Sequence, residues 1–304
     1  MTVRSEALRG QAAPAGAVAV GIVPSPAVGG FKVGLRAASP DWEADKVLAH
    51  LIRRAGSEAD ARVVGLVRAQ SAPTPAELQR RCRPVQVGCS VGHSAVTAGT
   101  LGCFVTHPDH DGVSILSNSH VLANSGRALI GDPVLQPGVA DGGSVHADSV
   151  GRLLAFAPMS DVAANTADVA VAALTDVDRG TVTNALPDGV LLVGTTEEQP
   201  DDDQVFKLGR TTGHTRGTVT LVEVDGVAVE YEVGTYTFDG TIEVEGTVGA
   251  FSEGGDSGSV VYTADGLGLG LLFAGSETGG ANGEGLTYAS PLRHALALVG
   301  AALL

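Results

Sequence analysis

The sequence predicts a mainly β fold for most of the chain, with a small α/β unit before it and a helix at its end. Three observations carry this prediction. The 304 residues include 42 glycines and 14 prolines but only 4% aromatic residues, a composition that favours many turns and short strands. From Cys89 onward, short apolar runs alternate with glycine-rich turns, which is typical of an antiparallel barrel or sandwich. Pro291 to Leu304 then carries leucines at helical spacing.

Residues 1–88 show the pattern of a strand, a helix and a second strand. Apolar and polar residues alternate from Phe31 to Ala37, as in a half-buried strand. A serine and a proline then begin a helix that Gly56 ends, with an apolar stripe along one face. A further strand follows from Ala61. We therefore predict two domains, a small α/β unit with its linker (1–88) and a β domain (89–304).

Charge is distributed unevenly along the chain. The formal net charge is −15, yet residues 1–88 contain 12 Lys or Arg and 7 Asp or Glu, and the remainder contains 7 and 27. A body that acidic repels phosphate backbones, so we expect no nucleic-acid partner. The sequence leaves three explanations of this acidity open. The acidic residues keep the protein soluble, attract basic peptides, or bind the basic first segment. No apolar run approaches 18 residues, so we expect no membrane span.

The cysteines and the first residues favour a cytoplasmic location. Met1 to Gln11 contains no apolar segment of the kind that a signal peptide needs. Cys82, Cys89 and Cys103 are too few to staple a secreted fold. They also lack the paired spacing of a zinc site, so we expect no metal and no organic cofactor.

Three short motifs carry residues that could perform chemistry. Ser257 lies in a Gly-Gly-Asp-Ser-Gly turn that leads into an apolar run, where backbone N–H groups can converge on a carbonyl oxygen. A serine hydroxyl needs an oriented base, and His120 follows an apolar strand in Ser-Asn-Ser-His-Val. Asp168 precedes another strand in Ala-Asp-Val-Ala-Val and could orient that base. Each motif alone also has an ordinary structural explanation.

Their order points to one family. His120, Asp168 and Ser257 follow one another in contexts that resemble those of the trypsin/chymotrypsin-like serine peptidases. The resemblance implies two six-stranded antiparallel barrels and a His-Asp-Ser triad. It also implies an oxyanion hole formed by the backbone N–H groups of Gly255 and Ser257, and a protein or peptide substrate.

Further stretches narrow the resemblance. Lys207 to Thr220, with its Gly-Arg-Thr-Thr-Gly core, is similar to a segment of the α-lytic protease and streptogrisin branch. In that branch the arginine pairs with the aspartate before the nucleophile, which here implies an Arg210–Asp256 ion pair. With Thr97–Phe104 and Leu116–Ala123, the chain resembles bacterial relatives of the plant NARROW LEAF proteins. That resemblance implies a cytoplasmic or nuclear homo-oligomer.

Two positions depart from the family pattern. The substrate-pairing strand is expected at Phe273, Ala274 and Gly275, where Phe273 replaces a serine that would support the aspartate. Asp168 is therefore expected to have poorer support and turnover to be slow. Phe251 stands six residues before Ser257, where the family often has the pocket floor, and favours a small or apolar substrate side chain.

The sequence thus predicts a cytoplasmic serine endopeptidase that works through an acyl-enzyme. Two alternatives remain open. One is a scaffold that keeps a peptidase fold with low turnover, which the replacement at Phe273 allows. The other is a self-processing regulatory protein, for which the linker near Arg80–Arg83 is the expected cleavage region.

Overall fold

The chain forms two compact units, residues 1–70 and 71–304. The computed structural model describes residues 18–24, 31–37, 46–63, 72–175, 177, 179–197 and 204–304. The division falls earlier than the predicted boundary after residue 88. Leu78 is fully buried, and Val85 and Val87 belong to the main β core. Burial of these apolar side chains therefore assigns the linker segment to the β unit.

The described residues of the first unit form a three-stranded sheet and one α-helix. The strands, in sheet order, are β1 (Val18–Pro24), β2 (Phe31–Ala37) and β3 (Ala59–Val63). β1 and β2 are antiparallel and β2 and β3 parallel, so α1 (Lys46–Ala55) lies in the crossover connection. Leu35 of β2 is buried against Leu51 and Ile52 of α1. The predicted strand–helix–strand order is confirmed, while the predicted helix start at Ser39 lies outside the described residues.

The first sheet of the larger unit has eight strands. In chain order they are β4 (Ser90–His93), β5 (Gly99–Thr100), β6 (Cys103–His107), β7 (His110–Ser117), β8 (Pro133–Leu135), β9 (Ser149–Phe156), β10 (Ala170–Leu174) and, at the end of the chain, β20 (Ala302–Leu303). Their spatial order is β20-β6-β7-β10-β9-β8-β4-β5. Three short helices accompany them: α2 (Pro75–Leu78), α3 (Ser119–Leu122) and α4 (Val145–Asp148).

This sheet runs once round a six-stranded barrel because β5 and β6 are two halves of one bent stretch. Before the bend, the N–H of Leu101 donates to the carbonyl of Cys89, just ahead of β4. After it, the N–H of Gly102 donates to the carbonyl of Leu116 in β7. The bent stretch therefore joins the two ends of the sheet, and β20 is an addition outside β6.

The second barrel is closed. Its strands are β12 (Gln204–Gly209), β13 (Gly213–Val224), β16 (Thr241–Gly246), β17 (Val260–Tyr262), β18 (Leu267–Gly275) and β19 (Leu286–Pro291). Pairing of β18 with β19 completes the ring, and β11 (Gly194–Thr195) adds to β18 in parallel. Val205, Val244 and Val261 are among the buried side chains of its core. The predicted mainly β fold with two barrels is confirmed.

An extra hairpin and a short terminal helix complete this unit. β14 (Val227–Tyr231) and β15 (Gly234–Phe238) form a two-stranded sheet of their own and lie between β13 and β16 in the chain. The terminal helix α5 covers Leu292–Leu298 rather than the predicted run to Leu304. Gly300 has φ +65°, the left-handed conformation that commonly ends helices. The chain then turns into β20. No helix among the described residues has the length and hydrophobicity to cross a bilayer.

The surroundings of the three thiols shift their pKa values in different directions. All three cysteines are free. A hydrogen bond from the Cys89 thiol, with the nearby Arg83 guanidinium, lowers the pKa of Cys82 to about 7. Burial raises the pKa of Cys103 to about 12 and raises that of Cys89 well above its usual value. Because the thiolate is the nucleophile, we predict that iodoacetamide alkylates Cys82 alone in the native protein, with a rate that rises as the pH passes about 7.

Peptide mapping of the alkylated protein measures this selectivity. Alkylation in concentrated urea is the control and should modify all three thiols at similar rates. Equal modification of the three thiols in the native protein would contradict the packing described for residues 72–89.

Candidate active site

His120 and Asp168 meet at one end of the β7–β10 strand pair. The two strands are antiparallel, with Ser117 opposite Ala170. Helix α3 begins just after β7 and carries His120, while Asp168 lies just before β10. The pairing therefore brings two residues 48 positions apart in sequence to the same edge. Nδ1 of His120 lies 2.5 Å from Oδ2 of Asp168.

The Asp168 carboxylate is fully buried and fully bonded. Its Oδ1 accepts hydrogen bonds from the backbone N–H groups of Ser119 (2.6 Å) and His120 (3.2 Å). Its Oδ2 faces His120 and also accepts from the hydroxyl of Tyr231 at 2.9 Å. A buried charge is tolerated when such donors replace water. The expectation of poor support for Asp168 is therefore wrong, because Tyr231 supplies a donor that Phe273 cannot.

Ser257 lies in the turn before β17, held against the first barrel. Its carbonyl accepts from the N–H of Thr100 at 2.8 Å, and the N–H of Gly258 donates to the carbonyl of Leu272 at 2.8 Å. A Cβ atom on Gly99 would overlap the Val121 side chain and lie 3.0 Å from the Ser257 carbonyl. The Ser257 carbonyl and Val121 of α3, the helix that carries His120, therefore both pack close to Gly99.

Two threonines fix the peptide groups that precede Ser257. The hydroxyl of Thr211 donates to the carbonyl of Gly254 at 2.8 Å, and that of Thr100 donates to the carbonyl of Gly255 at 2.9 Å. Because N–H and C=O point in opposite directions across a trans peptide, the first bond also fixes the direction of the Gly255 N–H. Within the described part of the chain, the N–H groups of Gly255 and Ser257 donate to no acceptor. This turn therefore presents two unoccupied donors.

Asp256 pairs with Lys207, which corrects the predicted Arg210–Asp256 ion pair. Both side chains are fully buried, with Nζ of Lys207 3.2 Å from Oδ2 of Asp256. The carboxylate also accepts from the backbone N–H groups of Thr211, Thr212 and Glu253. Burial lowers the pKa of Lys207, and the Asp256 charge opposes that shift.

Arg210 binds a different carboxylate. Its Nη2 lies 2.5 Å from Oδ1 of Asp141, and both side chains are largely buried. Its guanidinium also approaches Gly255, where an added Cβ would overlap Nη1. Lys207 lies inside β12 and its ammonium group reaches Asp256. Arg210 follows the end of that strand, and its guanidinium reaches Asp141 instead. Arg210 therefore packs against the turn at Gly255 and links it, through the ion pair with Asp141, to the first barrel.

An open cleft of about 530 Å³ adjoins Ser257. Ala274 and Gly275 line it, whereas Phe273 is buried and packs on Phe238 with ring centroids 4.6 Å apart. Of the three predicted substrate-strand residues, two therefore border the cleft. Phe251 lies in the core of the second barrel, so the expectation that it floors the pocket is wrong.

The cleft wall carries acidic groups. Glu253, Glu277 and Glu284 line it, and no lysine or arginine is among its lining residues. A second, smaller cavity of about 120 Å³ borders His120 and Tyr231. In the part of the chain that the structure describes, no three His, Cys, Asp or Glu side chains are grouped to hold a metal ion.

Sequence reasoning missed four residues that contact the site. Lys207 and Thr100 lie in the Lys207–Thr220 and Thr97–Phe104 stretches, but neither stretch carries a local signal that its lysine or threonine contacts the site. Asp141 comes from a short 3₁₀ turn 69 residues before Arg210, and Tyr231 comes from the end of β14, 63 residues after Asp168. Only the folded topology brings these two to the site.

Comparison with known proteins gives structural similarity alone. No protein-family model and no curated protein matches the chain. Among solved structures, Thermobifida fusca protease A is similar at 20% identity with a TM-score of 0.49, covering 72% of this chain and 98% of its own. Cellulomonas bogoriensis chymotrypsin has 20% identity, a TM-score of 0.48 and the same coverage. A protease of M. tuberculosis in its active form has 18% identity and a TM-score of 0.40, covering 80% of this chain and 96% of its own.

The buried Lys207–Asp256 pair gives a stability prediction. Lys207→Met leaves the Asp256 carboxylate buried without its counter-charge, and removing one partner of such a pair typically costs about 3–5 kcal/mol. Urea unfolding followed by circular dichroism measures the loss. Arg216→Met, a substitution of an exposed residue on the adjacent strand β13, is the control and should change stability by less than about 0.5 kcal/mol. Equal unfolding midpoints for the two variants would contradict the pairing.

Proposed function

We propose that the chain is a serine peptidase that hydrolyses peptide bonds through an acyl-enzyme. The observation that carries this proposal is the 2.5 Å contact between His120 and the buried Asp168 carboxylate, in a site next to Ser257. A buried carboxylate that holds a histidine by Nδ1 leaves Nε2 to act as a base toward a hydroxyl. The proposal adds that this Nε2 accepts the proton of the Ser257 hydroxyl.

The proposed reaction begins when the Ser257 hydroxyl attacks the substrate carbonyl carbon. His120 takes the hydroxyl proton and then gives it to the leaving amine, so the peptide bond breaks and an ester to Ser257 forms. Water, deprotonated by His120, then hydrolyses the ester and releases the acid. Asp168 keeps the imidazole in the required tautomer and stabilises its protonated form.

The turn before Ser257 supports the charged intermediate. The N–H groups of Gly255 and Ser257 are proposed to bind the oxyanion, and neither donates to an acceptor in the described part of the chain. The bonds from Thr211 and Thr100 hold the neighbouring carbonyls in place. Donors fixed in advance cost no reorganisation during the reaction.

The substrate is proposed to be a peptide or protein with a basic side chain before the scissile bond. Three glutamates line the cleft beside Ser257, and residues 89–304 contain 27 acidic and 7 basic residues. Such a field favours cationic peptides and disfavours acidic ones. This replaces the expectation of a small or apolar substrate side chain.

The proposal also includes four expectations that rest on the sequence patterns described above. They are a relation to the plant NARROW LEAF proteins, a cytoplasmic location, a homo-oligomeric state and the lack of a nucleic-acid partner. The bond from Tyr231 to Asp168 weakens the case for a low-turnover scaffold, because that case rested on the replacement at Phe273.

A peptide library followed by mass spectrometry tests the proposal. We predict that the wild-type protein cleaves library members and that Ser257→Ala and His120→Ala lower the rate by roughly 10⁴-fold or more. Ser57→Ala, at an exposed serine of the first unit, is the matched control and should retain the wild-type rate.

The cleaved sequences test the substrate class in the same experiment. Lysine or arginine is expected directly before the cut, by about tenfold or more over glutamate. Cleavage by Ser257→Ala at the wild-type rate would overturn the proposed nucleophile, and preferred cleavage after glutamate would overturn the role of the acidic cleft. Products from the protein itself, confined to the region of Arg80–Arg83, would favour the self-processing alternative.

A further inference from the structure

The Tyr231 hydroxyl contacts Asp168 from a separate part of the chain. Three of the hydrogen bonds to that carboxylate come from α3, through Ser119 and His120. The fourth comes from Tyr231, 63 residues further along, at 2.9 Å from Oδ2. Oδ2 is the same oxygen that faces Nδ1 of His120. Tyr231 therefore holds the atom on which the orientation of the imidazole depends.

The ring of Tyr231 contacts the imidazole as well. The centroids of the Tyr231 and His120 rings are 5.4 Å apart, with the planes tilted by 58°. Burial and the adjacent Asp168 charge raise the pKa of Tyr231 well above its usual value, so the phenol stays protonated and remains a donor. One side chain thus contacts both the aspartate and the histidine.

The β14–β15 hairpin places Tyr231 there. Tyr231 is the last residue of β14, and its ring also contacts those of Tyr236 (5.6 Å) and Phe238 (6.3 Å). At the base of the hairpin, Phe238 is fully buried and packs on Phe273 at 4.6 Å. Phe273 therefore anchors the element that brings the hydroxyl to Asp168.

Asn165 fastens the hairpin to the segment that carries Asp168. Its N–H and its side-chain amide both donate to the carbonyl of Thr237, at 2.8 and 3.1 Å. Its own carbonyl accepts from the N–H of Asp239 at 2.9 Å. Because Asn165 lies three residues before Asp168, the position of the hairpin is coupled to the position of the carboxylate.

We propose that Tyr231 is a positioning residue for His120, acting through Asp168, and that the β14–β15 hairpin is a strap that holds the two together. The role as a positioning residue for catalysis rests on the proposed function of the site. The hydroxyl keeps Oδ2 aligned with Nδ1, and the tilted ring limits rotation of the imidazole. A serine at the position of Phe273 on β18 would itself support Asp168. Here Phe273 anchors the hairpin, and Tyr231 supplies the hydroxyl that donates to Asp168.

Tyr231→Phe removes the hydroxyl and keeps the ring. The measured quantities are the second-order rate of labelling by a fluorophosphonate probe and the downfield proton NMR resonance of the His120 Nδ1–H. We expect labelling to slow by about tenfold, the size of a lost hydrogen bond to a charged group, and the resonance to move or broaden. Loss of the same resonance in His120→Ala assigns it.

Tyr236→Phe is the matched control, since Tyr236 lies in the same hairpin and touches the Tyr231 ring. It should leave both the labelling rate and the resonance as in the wild type. Asn165→Ala loosens the strap without removing the phenol and should change both quantities in the same direction as Tyr231→Phe.

The two readouts separate this inference from the proposed function. A wild-type rate with an unchanged resonance in Tyr231→Phe would overturn the positioning role. An equal loss in Tyr236→Phe would also overturn it, because the effect would then belong to the hairpin in general. If the wild type takes no label but Tyr231→Phe still moves the resonance, the proposed function fails while the support of His120 by Tyr231 stands.

Discussion

The Asp168 carboxylate, buried where the two barrels meet, is the group on which the site depends. An ionised carboxylate without water is costly unless donors surround it. Here the donors come from the start of α3, from His120 and from Tyr231. Satisfying one charge therefore fixes the helix that carries the base, the orientation of that base and the hairpin of the second barrel. The geometry of the His120 side of the site follows from that requirement.

A second buried carboxylate organises the nucleophile turn in the same way. Asp256 accepts from Lys207 and from three backbone N–H groups, all within the second barrel. The next residue, Ser257, is bonded through its carbonyl to Thr100 of the first barrel. The Arg210–Asp141 pair bridges the barrels behind the same turn. Two buried carboxylates and their donors thus fix the positions of the base, His120, and the nucleophile, Ser257. These two residues come from different barrels.

Local features of the structure could be predicted from the sequence, whereas contacts between residues far apart in the chain mostly could not. Strand periodicity and glycine-rich turns predicted the β architecture, and the resemblance to the serine peptidases, carried by the order of three motifs, implied that His120 and Asp168 would meet. Lys207 was not predicted as the partner of Asp256, because a lysine in a strand usually faces solvent and Arg210 lies only three residues away. Tyr231 carried no local signal, since its role comes from a hairpin that folds back over α3. The helix after Pro291 was predicted too long, because the turn at Gly300 competes with leucine periodicity.

Covalent capture of Ser257 tests whether His120 activates this serine. The protein is treated with diisopropyl fluorophosphate, and intact mass and peptide mapping locate the adduct, in parallel with His120→Ala. We expect one phosphoryl adduct per chain, on Ser257, which the histidine variant does not form in the same time. A folded wild-type protein that takes no adduct, or an adduct that forms equally fast without His120, would contradict it.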